Sequence, residues 1–251
     1  MQGTLLQTAK VELAGFRNDR HLMLVNSDGK FLTQREIPQM ARIHPQLSSG
    51  KIHITATGMD PLDHAILTEG KRIPVEIWKS TGVEAVDQGN IAAEWFEKFL
   101  KLPVRLVRIA DDFIRKVDPK YSIKPNDQVS FADGFPLLIV NQASLDDLNS
   151  RLDRPIPMNR FRPNLVVQGA SPYAEDGWKR IRIGEVELAL VKPCARCSIP
   201  ATDQITGVLE KEPLQTLAKY RNFAGKIMFG VNILPITTGQ VKTGMKVDIL
   251  E

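Results

Sequence analysis

The chain has 251 residues, a mass of 28.1 kDa and a formal net charge of +4. Charged residues make up 25% and apolar residues 43%, which is typical of a globular protein and not of a disordered one. A nucleic-acid surface would show lysine and arginine clustered among aromatics, but aromatics are 6% and scattered. No nucleic-acid partner is therefore expected, whereas a positively lined pocket for a phosphorylated cofactor is compatible with this charge.

The sequence carries no recognisable targeting segment. No apolar run approaches the length that spans a membrane, and the first residues lack the basic-then-apolar pattern of a signal peptide. Two neighbouring cysteines do not make the disulfide framework of a small secreted protein. We expect a cytoplasmic protein without a membrane partner.

Short β-like runs separated by Gly, Pro and Asp dominate the first hundred residues. Asp28-Gly29 between apolar runs predicts a hairpin. Further strands are predicted at 51–56, 65–68, 72–78 and 104–109. Repeated short strands of this kind indicate an antiparallel barrel or sandwich and not βαβ units.

One amphipathic helix interrupts these strands, with Asn90 as its expected N-cap. Its apolar face has helical spacing and consists of Ile91, Ala92, Trp95, Phe96, Phe99 and Leu100. Trp95 and Phe96 could be a pair that stacks on a cofactor, but their place in this stripe favours the core.

The polar stretch 111–126 contains Pro119 and Pro125 and is predicted to be a linker, or a loop over the active site. Ser144 opens a predicted capping box whose short helix buries three leucines, and 213–220 reads as a helix with proline in its first turn. Strands are predicted at 128–132, 136–140, 165–167, 227–233 and 246–250.

Both cysteines lie in one segment, Lys192-Pro193-Cys194-Ala195-Arg196-Cys197. It follows a hairpin in which apolar residues alternate on either side of Gly184-Glu185, and Pro193 is predicted to end that ladder. The neighbouring cations favour thiolate over thiol, so either sulfur could be a nucleophile or a soft-metal ligand.

Other interpretations of the two cysteines remain open on residue types alone. A closed zinc site needs four ligands, and the four histidines all lie in the first part of the chain. A cysteine hydrolase needs a nearby base, which the segment lacks. A thioredoxin-like motif has this spacing, but Pro200 and the antiparallel setting argue against it. Two ordinary buried cysteines are the fourth possibility.

Several segments, in chain order, resemble the MOSC-domain family, and within it the branch of the bacterial hydroxylaminopurine-resistance protein and the mitochondrial amidoxime-reducing component. These segments are Phe161-Arg162-Pro163-Asn164-Leu165-Val166-Val167, Ile183-Gly184-Glu185-Val186, Cys194-Ala195-Arg196-Cys197, Thr206-Gly207 and Lys211-Glu212-Pro213-Leu214. The resemblance implies a mainly β fold with a few short helices. It implies a β-rich N-terminal domain over 1–110, whose first strand is missing from this sequence, and a β-barrel MOSC domain over 111–251.

The resemblance also implies a site for molybdenum cofactor, with Cys197 as the metal ligand and Cys194 in a supporting role. The residues implied to bind the cofactor are Arg20, Arg162, Asn164, Arg196 and Asp133. Arg35 and Asp203 also occupy family-like positions, and a turn-forming role is at least as natural for Asp133 and Asp203. The lysine and serine with which the family's first strand holds the cofactor phosphate have no counterpart here, which predicts weaker phosphate binding or a truncated sequence.

The implied activity is the reduction of small N-hydroxylated compounds such as hydroxylamines, amidoximes and base analogues, as in detoxification. Two cysteines cannot form an iron–sulfur cluster, so electrons would come from a separate ferredoxin- or flavin-reductase-like protein. The chain also has no room for a pyridoxal-phosphate (PLP) domain. The alternatives are a non-enzymatic carrier of the cofactor or its sulfur, and a CxxC thiol redox protein.

Overall fold

The computed structural model describes residues 1–251 and folds them into seventeen strands and three short α-helices. The strands are β1 (Thr8–Glu12), β2 (Gly15–Phe16), β3 (Leu22–Val25), β4 (His44–Ser48), β5 (Lys51–Thr55), β6 (Leu62–Ala65), β7 (Arg72–Ile77), β8 (Ser80–Asp87), β9 (Arg105–Ile109), β10 (Leu137–Asn141), β11 (Leu165–Val167), β12 (Arg180–Ile183), β13 (Val186–Ala195), β14 (Asn222–Phe223), β15 (Lys226–Pro235), β16 (Gly239–Lys242) and β17 (Val247–Ile249). The helices are α1 (Asn90–Leu100), α2 (Gln142–Asn149) and α3 (Leu214–Tyr220). Single 3₁₀ turns lie at Pro38–Arg42, Met158–Phe161, Ala174–Gly177 and Ile199–Ala201. The predicted mainly β fold with few helices is confirmed.

The largest sheet is built from the second half of the chain in the order β11-β10-β15-β13-β12-β17, with β14 paired to β15. All neighbours are antiparallel except β10 and β11. Alternate residues of these strands face one apolar core, in which Ile139, Leu188 and Ile233 are fully buried. The strands form a nearly closed barrel, as the family resemblance implies, and β12 and β13 form the hairpin that the alternating pattern around Gly184-Glu185 predicts.

The first half forms two smaller sheets, β3-β9-β8-β7 and β4-β5-β6, with α1 packed between them. Phe96 is completely buried, and the indole N–H of Trp95 donates to the Asp60 carbonyl at 2.7 Å. Their interpretation as core residues is confirmed. Ile91, by contrast, is 70% exposed. The prediction of Asn90 as N-cap is wrong, because Asn90 is the first helical residue and Gly89 occupies the N-cap position.

The first two strands join the second half of the chain. β1 pairs with β16, and Val11 and Phe16 lie in the same core as Ile139. The backbone therefore crosses between the halves before residue 20. The predicted domain division at residues 110 and 111 stays a prediction.

Several local predictions are wrong for identifiable reasons. Pro193 does not end its strand, because β13 continues to Ala195. Beyond Ala189 the strand β13 pairs with β15 only, and register shifts around 190–195 accommodate the N–H that proline lacks. Ser144 is not an N-cap, because Asn141 caps α2 by accepting from the Ala143 N–H, and the Ser144 hydroxyl contacts Glu175 instead.

Some predicted strands also differ in their bounds. Residues 128–132 form no strand and contribute one bridge, and the strand expected at 65–68 is β6, which ends at Ala65. The helix over 213–220 is present, with Pro213 at its N-cap position. None of the three α-helices combines the length and the hydrophobicity needed to cross a membrane.

Candidate functional site

Cys197 lies just past the end of β13, before the 3₁₀ turn Ile199–Ala201, and its side chain is partly exposed. The strand places it there because β13 remains paired to β15 as far as Ala195. The Arg196 N–H then continues the ladder by donating to the Ile227 carbonyl at 2.7 Å. The sulfur is therefore held by a sheet at one side and a short turn at the other, as expected for a loop residue on a rigid scaffold.

Arg196 forms a hydrogen bond to Cys194 and not to Cys197, so the two cysteines have different surroundings. Its Nη1 donates to the Cys194 sulfur at 3.1 Å, and its Nη2 donates to the Phe161 carbonyl at 2.8 Å. Its Nε is buried and has no hydrogen-bond partner. Cys194 also packs partly against the apolar cluster around Phe161 and Phe229, which agrees with a supporting role. The Cys197 sulfur is left for another partner.

Arg20 and Arg162 meet on the same side of the molecule. The Arg20 guanidinium reaches the Arg162 carbonyl at 3.5 Å. Both residues have left-handed backbones, with φ of 59° and 54°, a conformation that costs energy for residues other than glycine. Burial, and then the charges of Arg20 and Arg196, lower the pKa of Arg162 to about 10.

Asn164 ties the two arginine-bearing segments together. Its Nδ2 donates to Asp19 Oδ2 at 2.7 Å, and its Oδ1 accepts from the Leu138 N–H at 3.0 Å. Asp19 precedes Arg20, and Asn164 lies two residues after Arg162. The Asn164 side chain therefore fixes the segments that carry the two arginines, and both of its polar atoms already have protein partners.

Arg35 and Asp133 also meet, although they lie far apart in the sequence. Arg35 Nη2 donates to Asp133 Oδ2 at 2.8 Å, and the guanidinium lies 4.4 Å from the centre of the Trp78 ring. The indole N–H of Trp78 donates to Asp133 Oδ1 at 3.1 Å. Asp133 and Cys197 raise the pKa of Arg35 against the opposing effect of burial, so the sulfur also lies beside this guanidinium.

A second buried arginine, Arg160, holds the loop that follows Cys197. It donates to Asp203 Oδ2 at 2.9 Å and to Glu210 Oε2 at 2.7 Å, and also to backbone carbonyls of the 3₁₀ turn. Asp203 in turn accepts from the Ile205 and Thr206 N–H groups, which is the turn-forming role expected as an alternative. On the other side of the loop, the Gln34 and Gln204 amides bond to each other.

Sequence reasoning missed Trp78, Arg115, Arg160 and the Gln34–Gln204 pair. Trp78 stands in an ordinary strand pattern, and its role follows from a long-range contact with residues 35 and 133. Arg160 directly precedes the noted Phe-Arg-Pro-Asn segment, and an arginine beside such a segment could have been found by asking which residue anchors the cysteine loop.

The site has more positive than negative charge at close range. Arg162 lies close to Arg20 and Arg196, and Arg35 lies close to Cys197, whereas Asp19 and Asp133 are the carboxylates among these residues. Buried donors remain without partners, at Arg35 Nη1 and Arg196 Nε. Orphaned cationic donors are expected where an anion binds, so this cluster of arginines fits an anionic group such as a phosphorylated cofactor or the thiolate that holds its metal.

The protein does not offer a complete metal cage of its own. No group of three or more His, Cys, Asp or Glu side chains lies together in a way that could hold a metal ion. A metal at Cys197 would take its remaining ligands from the cofactor, as a dithiolene pterin can provide.

Two family models match the chain: the MOSC N-terminal beta barrel domain over residues 1–103 and the MOSC domain over residues 126–248. The chain belongs to the MOSC domain family. Mitochondrial amidoxime reducing component 2 of Bos taurus is 33% identical over 88% of this chain and 68% of its own length. Mitochondrial amidoxime-reducing component 1 of Homo sapiens is 32% identical over 99% of this chain and 79% of its own length. The molybdenum cofactor sulfurase of Oryza sativa subsp. japonica is 32% identical over 96% of this chain and 32% of its own length.

The resemblance drawn from the cysteine segment is thus confirmed. In this MOSC protein, Cys197, Arg162, Asn164 and Arg196 lie within the matched MOSC segment, and Arg20 lies within the N-terminal one. Asp133 also falls in the MOSC segment, with both carboxylate oxygens engaged by Arg35 and Trp78. The structure brings all six predicted residues to one side of the molecule, and their roles towards a cofactor stay predictions.

Proposed function

We propose that this MOSC protein is a molybdenum-cofactor-dependent reductase of small N-hydroxylated compounds. The observation that carries the proposal is the cluster of Arg20, Arg35, Arg162 and Arg196, in which Arg35 Nη1 and Arg196 Nε are buried donors without a partner and Arg35 lies close to Cys197. Cys197 forms no disulfide and belongs to no all-protein metal cage. The names of the relatives supply the substrate class, because two of them are called amidoxime-reducing components.

In this proposal Cys197 binds the metal, and the arginines hold the cofactor. Arg162 and Arg20 bind its phosphate, since guanidinium groups form bidentate, charge-assisted hydrogen bonds to phosphate oxygens. Burial and then the charge of Arg20 lower the pKa of Arg162, and an anion between the two arginines would offset their repulsion. Arg196 donates from its free Nε, and Asn164 positions Arg20 through Asp19. Asp133 positions Arg35.

The reaction converts R–NHOH to R–NH₂ and water by taking up two electrons and two protons. Bound molybdenum supplies the two-electron redox chemistry that cleavage of an N–O bond requires. The chain's own residues keep the cofactor oriented and keep the Cys197 sulfur at the partly exposed rim, where a small substrate can reach it.

Electrons come from a separate donor protein in this proposal. The two cysteines of the chain are Cys194, bonded to Arg196, and Cys197, assigned to the metal, so neither is available for an iron–sulfur cluster. The donor is of a ferredoxin- or flavin-reductase-like kind.

A carrier function is the second candidate. The similarity to a molybdenum cofactor sulfurase, which covers 96% of this chain, favours it. A carrier would bind the same cofactor at the same residues and pass it or its sulfur to another protein, without reducing N-hydroxylated compounds.

The test is turnover by protein that has been loaded with cofactor in a competent host. Amine formation from benzamidoxime is followed with dithionite-reduced methyl viologen as a donor that needs no specific docking. The proposal expects turnover by the wild type and by Cys194→Ser, and loss of at least tenfold in rate for Arg162→Gln, because an arginine–phosphate contact is lost. Metal-replete wild type without turnover would support the carrier instead.

A further inference from the structure

Arg35 belongs to the N-terminal half of the chain but lies on the cysteine loop of the other half. The neighbouring Gln34 amide bonds to Gln204, in the loop that follows Cys197. Three residues after Gln204 the two backbones are also close, since a Cβ added at Gly207 would lie 3.3 Å from the Pro38 carbonyl oxygen. The segment 34–38 is therefore packed along residues 204–207, and Arg35 lies close enough to Cys197 for this cysteine to raise the pKa of its guanidinium.

The guanidinium of Arg35 is fixed by contacts to its edge and to its face. Its Nη2 donates to Asp133 Oδ2 at 2.8 Å, and the Trp78 ring lies 4.4 Å from its centre. The third side of this triangle is closed by the Trp78 indole, which donates to Asp133 Oδ1 at 3.1 Å. A planar cation held in this way loses most of its rotational freedom before any ligand binds.

The chain holds one partner of Arg35 in a strained conformation and fixes the loop that carries the other. Trp78 has φ of 54°, a left-handed conformation that is an outlier for a bulky aromatic residue. Buried Arg115 donates to the Ser130 and Asp133 carbonyls, each at 2.8 Å, and so fixes the loop that carries Asp133. Packing of the core does not require either feature, since Trp78 is 44% exposed and the Asp133 side chain 67% exposed.

One donor of the fixed guanidinium remains without a partner. Arg35 Nη1 is buried and has no acceptor in good hydrogen-bonding geometry, although the Cys197 sulfur lies close enough to the guanidinium to raise its pKa. A buried unpaired donor on a cation costs free energy unless a ligand or a nearby anion completes it. A metal-bound thiolate at Cys197 would supply that anion.

We propose that Arg35, clamped by Trp78 and Asp133, is a positioning residue for the metal ligand Cys197, so that the N-terminal domain completes the metal site of the MOSC domain. This inference rests on the proposed function in that Cys197 binds molybdenum. A hydrogen bond from a cation to a ligating sulfur withdraws electron density from it, which raises the reduction potential of the metal and orders the ligand. Asp133 and Trp78 act through Arg35.

The experiment compares cofactor-loaded Arg35→Gln, Arg35→Lys and Trp78→Leu with the wild type. Arg72→Gln is the matched control, because Arg72 lies in the same half, is 50% exposed and pairs with Glu84 and Asp112 at the surface. The readouts are molybdenum per protein after dialysis and the midpoint potential of the bound metal, with the thermal unfolding midpoint as a check on folding. Benzamidoxime turnover is recorded separately.

Loss of the cation in Arg35→Gln should lower the metal's midpoint potential and weaken metal retention by about 10- to 100-fold, the range for residues that support a metal ligand. Arg35→Lys should recover most of the potential, because the charge is restored, but not full retention. Trp78→Leu changes no charge, so it should lower the midpoint potential and the metal retention by smaller amounts than Arg35→Gln does. Arg72→Gln should match the wild type.

Wild-type potential and retention in both Arg35→Gln and Trp78→Leu would overturn the inference. That result is distinct from failure of the proposed function, which would show as metal-replete wild type without turnover while the potentials still differ between variants. A wild type that binds no molybdenum in a competent host would overturn both.

Discussion

Asn164 donates from its side-chain amide to the Asp19 carboxylate at 2.7 Å and thereby joins two chain segments that each carry an arginine of the candidate site. Asp19 precedes Arg20, and Arg162 lies two residues before Asn164. The two guanidinium groups repel each other, and this single amide bond helps to keep them together until an anion binds. Stability and binding are therefore coupled at this residue.

Replacing Asn164 by alanine should lower the free energy of unfolding by about 1–3 kcal/mol, because both the Asp19 carboxylate and the Leu138 N–H lose a partner. Urea denaturation of the wild type and of Asn164→Ala measures this difference. Asn126→Ala is the control, since Asn126 is exposed in a loop. Equal losses in the two variants would show that the Asn164 bridge does not stabilise the fold.

The arginine pair should bind inorganic anions even without cofactor. Phosphate at constant ionic strength should raise the thermal unfolding midpoint of metal-free protein above that in chloride, because an anion between Arg20 and Arg162 relieves their repulsion. Arg162→Gln should lose most of this phosphate effect. The idea fails if phosphate stabilises the wild type and Arg162→Gln to the same extent.

Phe161 connects the core to the cysteine loop. Its ring is fully buried and stacks on Phe229 at 4.0 Å, while its carbonyl accepts from Arg196. Phe161→Ala should lower the free energy of unfolding by about 3–5 kcal/mol through cavity formation. Phe223→Ala, at a ring that is 50% exposed, should change it by no more than about 0.5 kcal/mol. Comparable values for the two variants would contradict the assignment of Phe161 to the core.

The loop after Cys197 should lose stability in acid. The Thr206 N–H, followed by the other hydrogen bonds of that turn and the charge of Arg160, lowers the pKa of Asp203 in the folded state. A depressed carboxyl pKa stabilises the fold above the unfolded-state value of about 4 and loses that stabilisation as the pH falls further. The free energy of unfolding, measured from pH 6 to pH 3, should therefore fall less steeply in Asp203→Asn than in the wild type. Parallel curves would show that Asp203 contributes no pH dependence.

The strand pattern, the α1 core residues and the cysteine loop could be predicted from the sequence, because each depends on residues close together in the chain. The cap of α2 could not. Ser144 has the local spacing of a capping box, but Asn141 takes that role, while buried Glu175 accepts a hydrogen bond from the Ser144 hydroxyl. Tertiary contacts here override local propensity.

The site divides in the same way. The cysteine segment and the Phe-Arg-Pro-Asn segment are contiguous motifs that indicate cofactor chemistry directly. Asp133 and Trp78 hold Arg35 although the three residues lie far apart in the chain. No local sequence pattern indicates that Trp78 takes part in this contact. Long-range contacts between single residues leave no periodicity in a sequence, so the structure was needed to find them.

The central claim is that Cys197 holds molybdenum and Cys194 does not, since Arg196 already occupies the Cys194 sulfur at 3.1 Å. Elemental analysis of the wild type, Cys197→Ser and Cys194→Ser, all purified from a cofactor-competent host, tests this most directly. The account predicts molybdenum in the wild type and in Cys194→Ser, and its loss from Cys197→Ser. Equal molybdenum content in the two serine variants would contradict it.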